Sequence, residues 1–178
     1  MDPATLILPA TPADAAELTD LINQAYRGPA TAQSWTTEAH LLAGPRISER
    51  HVRSMLAPAH ASQAALLKYV AGDGRIQGCV YLEPKGHKLY LSTLAVAPNT
   101  QGQGVGRQLL AAAEAYARQH GCLCIRISVL SARPELLAWY ERHGYQRTGQ
   151  SEPFPATTEF GQPRQPLALL SLELRVKS

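Results

Sequence analysis

Three glycines at alternate positions, Gly102, Gly104 and Gly106, separate the apolar run Leu89 to Ala97 from a stretch with helical apolar spacing. Glycine at a helix start costs about 0.5–1 kcal/mol against alanine, so bare backbone must be needed there for another reason. A strand, a glycine-dense turn and a first helical turn together make an anion site. Unpaired amides converge at that point, and the helix dipole adds partial positive charge. Two familiar phosphate loops do not fit. A P-loop needs Lys-Ser/Thr after its last glycine, whereas Gly106 is followed by Arg107-Gln108, and the spacing is Gly-x-Gly-x-Gly instead of the dinucleotide Gly-x-Gly-x-x-Gly.

The rest of the chain supplies the layers around this turn. Thr11-Pro12-Ala13-Asp14 reads as a helix start, and Leu18, Leu21, Ile22, Ala25 and Tyr26 form its apolar stripe. Short helices are predicted over Ser34 to Leu42 and Ser48 to Leu56, separated by Gly44-Pro45. Ala64 to Val70, Ile76 to Leu82 and Leu89 to Ala97 read as antiparallel strands. Val105, Leu109, Leu110, Ala112, Ala113 and Tyr116 give the next helix its face, which ends at His120-Gly121. Leu123 to Val129 is a nearly continuous apolar strand, expected to be buried on both faces. A helix over Pro134 to His143 and strands over Tyr145 to Gly149 and Leu167 to Val176 complete the order, with a Pro-rich loop holding Phe154 and Phe160 between the last two. This succession predicts an α/β layered domain, taken as one domain over residues 1–178.

Composition narrows the function classes. Three cysteines, Cys79, Cys122 and Cys124, have no disulfide framework and suit a reducing compartment. MDPATLILPA lacks a basic region before its apolar stretch and no run approaches the length needed to cross a bilayer, so a soluble, cytoplasmic protein with no membrane partner is expected. A formal charge of +3 is too weak and dispersed for nucleic acid. The six histidines show no metal-ligand spacing, and no metal is expected.

Gln101-Gly102-Gln103-Gly104-Val105-Gly106, after a strand ending Leu94-Ala95-Val96-Ala97-Pro98, resembles the acetyl-CoA motif of the GNAT superfamily of N-acetyltransferases. Leu136-Leu137-Ala138-Trp139-Tyr140-Glu141-Arg142-His143-Gly144-Tyr145 is similar to that family's later helix motif, and the element order from Thr5 to Leu174 matches its domain. The segments "AYRG", "WTTEAHLLAGPR" and "RPELLAWYERHGY" are similar to a bacterial subgroup of the family. The resemblance implies a mixed, mostly antiparallel sheet of six to seven strands with helices on both faces, and acetyl-CoA as cosubstrate. The backbone of Leu94, Ala95 and Val96 would pair with the pantetheine arm. The motif from Gln101 to Gly106 would hold the pyrophosphate by its main-chain amides, with Arg107 adding charge. The Val96 amide would donate to the thioester oxygen. Arg133 stands where many members carry a cofactor-contacting asparagine.

The implied reaction is direct attack of an amine on the thioester, which needs a proton removed from the nucleophile and one delivered to the departing thiolate. Tyr140 is the candidate acid, since reference pKa values of about 10 for tyrosine and about 8.5 for a thiol lie close together. It also belongs to an aromatic group with Trp139 and Tyr145. Family positions that hold a glutamate base elsewhere carry Tyr90 and Ser128 here. Glu38 is therefore the candidate amine anchor or relay base, beside Trp35, with Tyr90 as a further acceptor contact and Glu83 as a second acid. The expected acceptor is the amine of a small molecule. A peptide acceptor and a catalytically silent CoA-binding module are the alternatives, and the chain is expected to be a monomer or homodimer.

Overall fold

The computed structural model describes residues 6–28, 37–57 and 63–177. β1 (Leu6–Pro9) leads to Thr11, whose amide and hydroxyl donate to the Asp14 carboxylate at 2.7 and 3.1 Å. A 3-10 turn over Pro12–Asp14 then starts α1 (Ala15–Arg27). Proline suits this position because a first-turn residue has no helical acceptor for an N–H. α1 buries Ala15, Leu18, Leu21, Ile22 and Ala25 as a single stripe. It is followed by β2 (Leu42–Ala43), α2 (Glu49–Leu56), β3 (Ala65–Val70), β4 (Ile76–Lys85), β5 (Lys88–Val96) and α3 (Val105–Gln119). Then come β6 (Cys124–Leu130), α4 (Pro134–Arg142), β7 (Gln146–Pro153), β8 (Gln162–Pro163) and β9 (Ala168–Arg175).

Seven strands form one sheet in the order β1-β3-β4-β5-β6-β9-β7, and β2 pairs separately with β8. Every neighbouring pair is antiparallel except β5 and β6. α1 and α2 cover one face, packing on Leu66, Ile76, Cys79 and Ala95. The other face carries α3 and α4 against Leu67, Val80, Leu82, Leu89 and Leu91. Adjacent residues such as Leu66 and Leu67 serve opposite cores because strand side chains alternate. This is the expected α/β layering. Among the described residues, no helix is long and apolar enough to cross a membrane.

One irregularity matters for everything downstream. In β5 the odd-numbered Leu89 and Leu91 face α3, yet odd-numbered Ala95 faces α1. The parity flips at Thr93, a buried β-branched residue at φ 52, where the β4 register shifts between Cys79 and Tyr81. β5 pairs with β6 only from Lys88 to Tyr90. Beyond that, β5 follows β4 to Val96 while β6 follows β9 to Leu130, and the two part.

Several local expectations change. Residues 34–36 lie outside the described residues, and 39–41 form a turn leading into β2 instead of a helix, with the Leu41 and Leu42 amides donating to the Glu38 carbonyl at 2.9 and 3.1 Å. The start of the chain yields β1, an edge strand with Leu6 and Leu8 exposed, where the sequence offered no alternation to mark it. β6 is not buried on both faces: Ile125, Ile127 and Val129 are buried, but Ser128 is exposed and Arg126 half-buried. Its polar face borders the gap left by β5.

Asp14 ties the start of α1 to β3, since Lys68 Nζ lies 2.8 Å from both its oxygens. Burial alone would raise the Asp14 carboxyl, but hydrogen bonds from Lys68 and Thr11 outweigh it and hold the group below its ordinary 3.8. A depressed native value contributes stability above the unfolded value and loses it as pH falls through the native one. Asp14→Asn should lower the unfolding free energy by about 1 kcal/mol at neutral pH. In denaturant titrations the gap to wild type should close as pH drops below 3.8.

Candidate active site

Where β5 and β6 part, a cleft of about 430 Å³ opens between Leu94, Ala95 and Val96, the glycine turn, the start of α3, and Trp139 and Tyr140 of α4. The Ala97 amide donates to the Gln77 carbonyl at 2.8 Å. In an antiparallel ladder successive residues turn their main chain to alternate sides, so Val96 presents its N–H and C=O to the cleft. Gln101 Nε2 occupies that carbonyl at 3.1 Å, which leaves the N–H open.

The turn itself supplies more donors. Gly102 and Gly104 take φ of 80 and 85, where a side chain is strained, and a Cβ on either would point into open space. The first backbone bond of α3 runs from the Gln108 amide to the Gly104 carbonyl at 3.1 Å. Among the described residues, no backbone acceptor meets the amides of Gly104, Val105, Gly106 or Arg107. Four open donors at a helix N-terminus fit a diphosphate, with the guanidinium of exposed Arg107 at the same mouth.

Two expectations for this loop need correction. Gly106 is small for packing, since a Cβ there would sit 3.1 Å from Cζ2 of Trp139, which holds α4 against α3. Gln103 does not line the cleft: its amide approaches the Thr100 carbonyl at 3.4 Å and its side chain donates to the Asn99 carbonyl at 3.3 Å. Arg142 and His143, at the end of α4, do line it. Their position after the aromatic pair of α4 was the one available signal.

Tyr140 is buried within the aromatic group, its ring centroid 4.9 Å from that of Trp139 and 5.4 Å from that of Tyr145. Its hydroxyl has no hydrogen-bond partner among the described residues, and unlike the Tyr145 hydroxyl it is not sealed off. Desolvation, with smaller contributions from Tyr26 and Tyr145, pushes the Tyr140 phenol well above its ordinary value, so it stays protonated. Burial raises the Tyr26 phenol as well.

Tyr140, Tyr26, Leu94, Leu136 and Arg133 also border a second cleft of about 290 Å³ on the far side of the gap. Tyr90, Ser92, Ser128, Phe154, Pro155 and Phe160 complete much of its wall. Glu38 lies here, but buried between two arginines: Arg27 Nε donates to Oε1 at 2.9 Å and Arg133 Nη1 to Oε2 at 3.3 Å. Arg27 continues to the carbonyls of Gly44 (2.8 Å) and Phe160 (2.6 Å). The expected free carboxylate is thus the centre of an ion triad joining α1, α4 and two loops. Arg133, expected beside the cofactor, borders both clefts with its guanidinium engaged by Glu38 and, at 3.5 Å, by Glu135. Tyr90 stands partly exposed between Glu83 of β4 and Arg126 of β6. Glu83 pairs with Lys85 at 3.0 Å and borders neither cleft. Trp35 lies outside the described residues.

Residues 19–145 match the profile of the Acetyltransferase (GNAT) family, and the chain belongs to that family. It is 38% identical over 65 residues to acetyltransferase Atu2258 of Agrobacterium fabrum, a match covering 36% of this chain and 46% of that protein. It is 32% identical over 116 residues to the mycothiol acetyltransferase of Jonesia denitrificans, covering 64% of this chain and 36% of that protein. The chain spans less than half the length of these curated relatives. Its fold also matches that of yncA from Salmonella typhimurium, a putative acetyltransferase solved with acetyl-CoA, at a TM-score of 0.68 and 19% identity over 98% of this chain and 95% of that one.

Gly104→Val should fold, since nothing within 4 Å obstructs the new side chain, at a strain cost of about 1–2 kcal/mol. It would place a branched side chain in the cleft that Gly104 lines. Calorimetry should show acetyl-CoA affinity reduced at least about tenfold; unchanged affinity would remove the cradle.

Proposed function

We propose that this chain is an acetyl-CoA-dependent N-acetyltransferase that transfers the acetyl group to the primary amine of a small molecule by direct attack in a ternary complex. The observation that carries this reading is the meeting of two clefts at Tyr140 and Leu94, one rimmed by open amides and the other by aromatic and cationic side chains. Acetyl-CoA supplies an activated thioester. The amides of Gly104 to Arg107 are the donors for its diphosphate, and the Val96 amide is the open donor for the acetyl oxygen. Tyr140 holds its proton ready for the departing sulfur. Burial penalises thiolate and phenolate alike, as the Cys79 thiol, pushed up to about 12, illustrates. A rising phenol value therefore does not by itself leave Tyr140 too weak an acid for sulfur in the same dry surroundings.

Removal of the amine proton follows different logic from a glutamate base. Among the described residues bordering the second cleft, Glu38 is the sole carboxylate, and both its oxygens are engaged by arginines. With no free carboxylate on this wall to hold an ammonium, the acceptor enters as its neutral amine and attacks the thioester carbon. Its nitrogen then gives one proton to water as the C–S bond breaks and Tyr140 protonates the departing sulfur. Glu38 is then a positioning residue. A small acceptor is favoured by the loop carrying Phe154, Pro155 and Phe160, which walls the cleft and is pinned by Arg27.

A thiol-release assay over a panel of small amines and short peptides tests the reading. Tyr140→Phe should lower kcat at least about tenfold with acetyl-CoA affinity nearly unchanged. A kcat within twofold of wild type would strip Tyr140 of its role. Silence with every acceptor would contradict the transfer itself.

A further inference from the structure

We propose that Arg46 binds a carboxylate on the acceptor, so that the substrate is an amine carrying a nearby anionic group and not a simple polycation. The inference rests on the acetyl-transfer reading above and names its substrate class. Four arginines border the second cleft: Arg27, Arg46, Arg126 and Arg133. Three of them are already matched. Arg27 and Arg133 hold Glu38, Arg133 also reaches Glu135, and Arg126 Nη1 meets Glu173 at 3.3 Å while Nη2 contacts Ser171 and Gln150. Arg46 is the charge left over. Its guanidinium makes no hydrogen bond or ion pair to any described residue.

Arg46 is nevertheless held in place. Asn23 Oδ1 accepts from the Arg46 amide at 2.8 Å and the Ile47 amide at 3.1 Å, and Asn23 Nδ2 donates to the Ile47 carbonyl at 3.0 Å. The guanidinium carbon lies 5.0 Å from the Tyr26 ring centroid and 5.2 Å from that of Phe160. Two rings steady the cation without consuming its N–H donors, and a guanidinium presents those donors as a fork that matches a carboxylate. The side chain is half-buried, so the surrounding dielectric is lower than in water and an unmatched positive charge there attracts an anion strongly. Tyr26, Tyr140 and Leu94 each border both clefts, so the Arg46 stack on Tyr26 lies at the wall the two clefts share. An acceptor with its carboxylate on Arg46 would extend its amine along that wall toward Tyr140. A polyamine would bring further positive charge to a wall that offers it no free carboxylate.

The test compares L-phenylalanine and L-leucine with phenylalaninamide and leucinamide at saturating acetyl-CoA and equal concentrations of free amine. The wild-type kcat/KM should favour the two acids at least about tenfold. In Arg46→Gln the preference should fall close to one, through a higher KM for the acids, and Arg46→Lys should keep part of it. Acetyl-CoA affinity, measured by calorimetry on each variant, should match wild type because Arg46 does not border the first cleft. Equal wild-type rates for acids and amides, or an undiminished preference in Arg46→Gln, would overturn the role of Arg46 while leaving acetyl transfer intact. No turnover with any amine would instead overturn the transfer reading, and this inference with it.

Discussion

Thr93 sits at φ 52 in the middle of β5, and the strand can leave the sheet on one side because of it. A β-branched residue in this region costs of order 1–3 kcal/mol. The strain persists because both flanks are fixed: Leu89 and Leu91 are locked into the core under α3, and Ala95 into the core under α1. A straight strand could satisfy only one of these faces. The extra residue flips the alternation, and its carbonyl is met by the Cys79 thiol at 3.7 Å. As a result β5 and β6, the only parallel neighbours among the described strands, share just Lys88 to Tyr90 and then diverge. The open edge at Val96 and the approach to the α3 N-terminus both follow from that divergence.

The electrostatics of the two clefts divide along the same line. On the α3 side the positive potential comes from backbone, four amides and a helix dipole, and it needs no side chain to be charged. On the other side it comes from arginines, and the deep burial of Arg27 and Arg133 is tolerable because the Glu38 carboxylate faces both. Removing one member of such a buried set strands the others, at about 3–5 kcal/mol. Glu38 is therefore held by stability as firmly as by any chemistry, and a side chain so engaged is a poor proton shuttle. With Glu38 so engaged, Arg46 is the unmatched charge on that wall among the described residues, which is the ground for the proposal that an anion-bearing acceptor docks there.

Most of the architecture was legible in the sequence because its signals are local. The helix start at Thr11-Pro12, the stripe of α1, the glycine turn and the apolar face of α3 each depend on residues within a turn or two of one another. What escaped depends on distant partners. The polarity of β6 at Arg126 and Ser128 makes sense only once β5 has moved away, and the bulge at Thr93 is set by two cores on opposite faces. Glu38 looked like a free acid beside aromatic residues, because nothing nearby announces Arg133, which lies 95 residues further along the chain. Arg46 likewise gained meaning only when Phe160 closed over it. For Gly106, the sequence showed that a side chain was unwelcome but not that Trp139 was the reason.

The central claim is the proposal that the Val96 amide, freed by the parting of β5 and β6, and the open amides at the first turn of α3 are the donors for acetyl-CoA. Residue-resolved amide hydrogen exchange, with and without saturating acetyl-CoA, reads those donors one by one. The expected result is marked slowing at Val96 and at Gly104 to Arg107, with the outer strands β1 and β7 exchanging as before. Unchanged exchange at those five amides in a saturated complex would contradict it, because the molecule would then be binding its cosubstrate somewhere other than the gap.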